Sequence, residues 1–183
     1  IDLVRTSAGQ PLPLAMLASP ELGGGGDLAA DPAARAPMRV VSRSSDVVVF
    51  EGRVGAVLVK KTYRLTGKPF ELEVELEVTG APGAGSVVLL FPGYTPPDAA
   101  KGGMFSGPPL DVTRPVCRAG DKTKRLDLMD DSAPEPPPGS VAWAGLDEGY
   151  FVSAVLPAEA LGTCLFARGP AKGVGLAALA VPV

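Results

Sequence analysis

Phe70-Glu71-Leu72-Glu73-Val74-Glu75-Leu76-Glu77-Val78 alternates apolar and acidic side chains without a break. A period of two is the period of a β-strand, so the apolar groups fall on one face and all four carboxylates on the other. The segment predicts a strand over 70–78 with a core side and a wet side. A row of four glutamates raises the thought of calcium or a general acid, but residues two apart on an exposed sheet face are more simply read as solvated. Lys60 or Lys61 on the preceding strand is expected to offset their repulsion.

Outward from this strand the rhythm continues. Thr66-Gly67-Lys68-Pro69 is a turn, preceded by a strand over Ala56–Leu65. Before it stand candidate strands Arg39–Arg43 and Asp46–Phe50, with Ser44-Ser45 and Glu51-Gly52 read as breaks. After it come a turn over 80–85, a strand over Ser86–Phe91, and a long loop from Pro92 to Pro109 carrying Tyr94, Met104 and Phe105. That loop is either a binding loop or a cover folded over an open end of the sandwich. Asp111–Cys117 and Thr123–Leu128 are weaker strands; Val141–Leu146, the turn Asp147-Glu148-Gly149 and Tyr150–Leu156 form the next pair, stopped by Pro157. Ala158–Leu161 reads as one helical turn, and Thr163–Arg168 and Val174–Val181 close the chain as strands. Residues 1–37 read as one or two short strands and loops, with Gly23 to Gly26 as a linker, since no Lys-Ser/Thr follows to make a phosphate cradle.

The expected fold is all-β: antiparallel sheets in a sandwich, with long Gly/Pro-rich loops and little helix. The 183 residues suit a single domain with an aliphatic core, because aromatic residues are only 5% while the hydrophobic fraction is 46%. Twenty-three glycines and twenty prolines cluster between the apolar runs, where they serve as turns. A net charge of -3 argues against nucleic acid or an anionic membrane surface as main partner. No stretch approaches the roughly 18 consecutive apolar residues that cross a bilayer. The chain opens at Ile1 with no initiator Met and no leader pattern, and is expected to be a piece of a longer protein.

The chain contains no histidine, which removes the commonest general base, the Ser-His and Cys-His pairs and most transition-metal sites. Asp147 and Glu148 could in principle serve as a glycosidase pair, yet adjacent turn residues seldom converge on one bond. No catalytic, cofactor or metal residue is expected. Trp143, Tyr150 and Phe151 could form a sugar-stacking platform, with core packing across two sheets the preferred reading. Cys117 and Cys164 are the only cysteines, and the sequence leaves open whether they pair or remain buried thiols.

Two motifs in order carry a family resemblance. Val141-Ala142-Trp143-Ala144-Gly145-Leu146-Asp147-Glu148-Gly149-Tyr150-Phe151-Val152-Ser153-Ala154-Val155-Leu156-Pro157 resembles the signature of the large periplasmic domain of the YidC family of membrane protein insertases. Upstream, Val59-Lys60-Lys61-Thr62-Tyr63-Arg64-Leu65 followed by Phe70 to Val78 resembles a strand pair of the same domain. The likeness spans Val40 to Val183, while residues 1–37 match poorly and Thr79-Gly80-Ala81-Pro82 replaces the family's Asn turn. It implies a β-supersandwich related to galactose mutarotases, placed in the periplasm of a bacterium and tethered to the inner membrane by transmembrane segments outside these residues. It also implies an accessory role in insertion and chaperoning, with Sec translocon components and nascent membrane proteins as partners. Lys61, Tyr63, Trp143, Asp147, Tyr150, Phe151 and Pro157 are the matching signature residues, with structural roles. A mutarotase site relies on histidine, so the fold kinship carries no activity over. The alternative is a secreted carbohydrate-binding or sugar-modifying sandwich.

Overall fold

The computed structural model describes residues 15–19, 37–54, 57–80, 86–95, 112–130, 132, 135–159, 162–169 and 171–182. These form twelve strands and no helix. They are β1 (Ala15–Ser19), β2 (Arg39–Arg43), β3 (Val47–Val54), β4 (Val57–Leu65), β5 (Leu72–Thr79), β6 (Ser86–Tyr94), β7 (Arg114–Ala119), β8 (Lys122–Arg125), β9 (Val141–Asp147), β10 (Val152–Val155), β11 (Thr163–Arg168) and β12 (Val174–Pro182). The tetraglycine, Met104 and Phe105 lie outside the described residues, as do Ala160 and Leu161 of the expected helical turn; Ala158 and Glu159 form a bend.

The strands make three four-stranded antiparallel sheets, as the alternating patterns predicted. A central sheet has the order β1-β6-β12-β11, a meander sheet β2-β3-β4-β5, and a third, here the signature sheet, β10-β9-β7-β8. Val87, Leu89, Ala177 and Leu179 on one face of the central sheet share a buried cluster with Val57 and Val59 of the meander sheet. Cys117, Val141, Ala144 and Leu146 of the signature sheet join the same cluster. Both outer sheets therefore pack against one face of the central one. Its opposite face carries a second buried cluster of Val88, Leu90, Leu176, Ala178 and Ala180. A sheet buried on both faces needs apolar residues at every position, and β6 and β12 read as continuous apolar runs for that reason.

Four expectations require correction. Glu51-Gly52 does not break the chain: β3 runs through both, and Gly52 is there because a Cβ would stand 2.9 Å from the carbonyl oxygen of Pro37. Pro92 does not begin a loop, since β6 continues to Tyr94 and pairs Pro92 with Leu176. The Tyr94 N–H donates to Thr113, on the side away from β12, and a residue two earlier points the same way. The hydrogen that Pro92 lacks would thus have faced the β1 side, beyond the last β1 partner, Leu90. Phe70 is outside β5, with a φ of 62° and a fully exposed ring. Lys61 does not balance the glutamates, because it lies on the opposite face of the sheet.

Lys60 takes that role. Register places Arg39, Glu51, Lys60 and Glu77 side by side across β2, β3, β4 and β5, a row of alternating charge on the outer face. Arg39 pairs with Glu51 at 2.6 Å, Lys60 with Glu77 and Arg64 with Glu73. These pairs stand largely in water, so each contributes little to stability.

Candidate functional site

The inner face of the meander sheet opens as it leaves the core. Val59 is fully buried opposite Val78; one pair further Lys61 faces Leu76, then Tyr63 faces Val74, and at the far end Leu65 and Leu72 are 59% and 47% exposed. The two layers splay apart along β4 and β5, and the gap is a groove of about 370 Å³. Val74 and Leu76 form one wall, Leu89, Leu179 and Val181 of the central sheet the floor, and Val155 to Glu159 the other wall. Val74 and Leu76, expected in the core, are only half-buried for this reason, and Val78, which packs against the core cluster, is half-buried too.

Lys61 and Tyr63 line this groove. On β4 the positions 57, 59, 61, 63 and 65 share a face, so a cation stands where the alternation calls for an apolar side chain. Lys61 is 6% exposed, and loss of hydration lowers its amine to about 8. Burial raises the Tyr63 phenol, whose ring meets Phe50 edge-on at 5.7 Å. Pro157 completes the wall opposite. Three signature residues thus converge, Lys61 and Tyr63 from β4 and Pro157 from the segment after β10, distant in sequence. The alternation of β4 held the signal: a charge on its core-facing side.

The remaining signature residues lie on β9, at Trp143, and at the β9–β10 turn, at the other end of β10 from Pro157. Asp147 accepts a hydrogen bond from the Arg125 side chain and another from the Gly149 N–H at 2.9 Å. Those two bonds, Arg125 first, hold its carboxyl below the usual range. Asp147 is a turn staple that also clamps β8. Gly145 lets β10 approach β9, since a Cβ there would run into the Ser153 carbonyl oxygen. Trp143 is half-buried on β9, and Tyr150 and Phe151 are each 75% exposed. The core-packing expectation therefore fails for both turn aromatics: a hairpin tip has no second layer over it.

Cys117 on β7 and Cys164 on β11 join in a disulfide, their Cα atoms 6.5 Å apart, linking the signature sheet to the central sheet. Among the described residues no group of His, Cys, Asp or Glu is arranged to hold a metal ion, and no helix is long and apolar enough to cross a membrane.

No protein-family model matches the chain, and no solved structure does. Curated relatives match from end to end. The chain is 60% identical over all 183 residues to the membrane protein insertase YidC of Anaeromyxobacter dehalogenans strain 2CP-C, covering 34% of that protein. Identity is again 60% to the insertase of Anaeromyxobacter sp. strain K, and 57% over 184 residues to that of strain Fw109-5. The chain spans about a third of the length of these relatives. An alignment that runs through the stretch before Val40 as well as through both motifs extends the likeness to the whole chain: from end to end it is the counterpart of a region of the YidC family of membrane protein insertases.

Proposed function

We propose that this chain is the periplasmic accessory domain of an inner-membrane insertase and chaperone, acting by contact and positioning and not by turnover. The observation that carries the reading is end-to-end identity with insertases about three times its length. An all-β sandwich with no histidine and no metal-binding cluster among its described residues agrees with a role without chemistry. Transmembrane segments outside these residues would tether it and perform insertion itself. Its partners would be nascent membrane proteins and components of the Sec translocon, with no cofactor and no nucleic acid. The relatives carry the insertase name, so the carbohydrate-binding alternative is set aside.

Removal of residues 1–183 from the full-length insertase tests this. Insertion of a model membrane protein should stay largely intact, while cross-links from this domain to Sec components or to substrate loops are lost. An absence of any such cross-link in the intact protein in membranes would defeat the contact reading. A cysteine placed at exposed Lys172 should label with a membrane-impermeant reagent from the periplasmic side; labelling only after lysis would defeat the placement.

A further inference from the structure

The bond between Cys117 and Cys164 lies where no dissolved thiol or disulfide can reach it. β7, which carries Cys117, has β9 on one side and β8 on the other, and β11, which carries Cys164, pairs with β12. The two strands belong to different sheets, so the sulfurs meet in the layer between them. Both residues sit in the core cluster, with Val141, Ala144 and Leu146 on the signature side and Val87, Leu89 and Leu179 on the central side. Cys117 is 0% and Cys164 1% exposed. The bond is part of the core as well as a link across it.

Disulfides form by exchange through a mixed intermediate. One cysteine thiolate attacks a sulfur of an external disulfide, which expels a thiolate and leaves a mixed disulfide. The second cysteine thiolate then attacks the cysteine sulfur of that adduct, closing the bond and expelling a second thiolate. Two protons pass from the cysteines to the expelled thiolates; the cysteine pair is oxidised by two electrons and the external disulfide is reduced to two thiols. The adduct carries an added group on its sulfur, and each step needs a thiolate in line with the bond it breaks. The closed layer allows neither, because it encloses both sulfurs and its apolar walls favour the neutral thiol. We infer that Cys117 and Cys164 are the substrate of a thiol–disulfide exchange with an external disulfide that acts on the open chain, before the signature sheet closes over the central sheet. Order follows from burial. Oxidised first, the chain closes over a bond that reductants no longer reach; closed first, it holds two thiols that oxidants no longer reach. The two folded forms interconvert only when the layer between the sheets opens. The supply of external disulfide rests on the periplasmic placement proposed above.

The test follows the bond by the mass added when free thiols are alkylated. Dithiothreitol should reduce the oxidised chain in native buffer at least about a hundredfold more slowly than in concentrated urea, since only the rare open state reacts. Val141→Ala, which removes packing from the same cluster, should speed reduction in native buffer in step with its loss of stability. Reduced chain diluted from urea into oxidised glutathione should gain the bond, whereas reduced chain shown by circular dichroism to have folded beforehand should gain it at least about a hundredfold more slowly. In cells making the full-length insertase, newly made chains should acquire the bond, and removal of the thiol-oxidising proteins of the periplasm separates a protein donor, with the bond lost, from a small-molecule one, with the bond kept. Reduction in native buffer as fast as in urea, equal oxidation of folded and unfolded dithiol, or free thiols at both positions in untreated cells would each overturn the inference. Sealing of the bond is read in solution without a membrane, so its failure leaves the labelling and cross-linking results to decide the periplasmic reading separately.

Discussion

β5 and β6 follow one another in the chain and have opposite fates. β5, Leu-Glu-Val-Glu-Leu-Glu-Val-Thr, alternates cleanly and ends exposed on one face and half-buried on the other. β6, Ser-Val-Val-Leu-Leu-Phe-Pro-Gly-Tyr, has no alternation and is buried almost throughout. Perfect amphipathicity marks a strand with one layer behind it, and at an edge even that layer is incomplete. A continuous apolar run marks the strand buried on both faces. The central sheet is the buried platform, and the meander sheet is the part whose outer end stands away from it.

The contrast can be broken first at its covalent link. The disulfide ties the central sheet to the signature sheet across 47 residues of sequence, while the meander sheet has no such tie among the described residues. Replacing both cysteines by alanine should lower stability by about 4 kcal/mol on the loop-closure view, measured by urea unfolding. Hydrogen exchange should quicken in β7 and β11 more than in β5.

Leu90→Ala should cost about 3 kcal/mol, because its side chain is fully enclosed in the central sheet. Leu72→Ala, at 47% exposure, should cost under about 1 kcal/mol. Similar losses at the two positions would refute the division into platform and open edge.

Lys61→Met should stabilise the chain at neutral pH by up to about 2 kcal/mol. The folded state holds the amine near 8 against an ordinary value of 10.5, so between those values the unfolded chain binds the extra proton. Stability of the unaltered chain should therefore rise as pH increases from about 8 to about 10.5, and the variant should lose that rise. Thermal midpoints across this range decide it. Asp147→Asn has the smallest expected effect, a loss of about 1 kcal/mol at neutral pH. Its carboxyl is held low, so the contribution is present above the ordinary carboxylate pKa and disappears as pH falls through the depressed folded value.

Much of this was legible in the sequence. β2 and β11 begin and end where Arg39–Arg43 and Thr163–Arg168 were read, because turn residues bound them on both sides. The family was legible through Trp143 to Pro157. Gly52 and Pro92 misled, since each is a breaker by local propensity and each is tolerated by its surroundings: Gly52 by the close passage of Pro37, and Pro92 because the hydrogen it lacks would face away from β12. The groove was not legible, because it depends on where Pro157 comes to rest relative to β4, a long-range fact that no period reveals. Exposure of Tyr150 and Phe151 escaped for the same reason: residue type favours burial, but a turn tip has nothing to be buried against.

The glutamates of β5 also govern what this edge refuses. If two copies of the chain met edge to edge in the antiparallel register that sets Glu75 opposite Glu75, Glu73 and Glu77 of one would lie opposite Glu77 and Glu73 of the other. Directly opposed like charges each cost a fraction of a kcal/mol, and here they would accumulate along the seam. A strand with neutral or basic residues on that face meets no such penalty. Three of the glutamates that announce the strand in the sequence thus set this edge against pairing with its own twin.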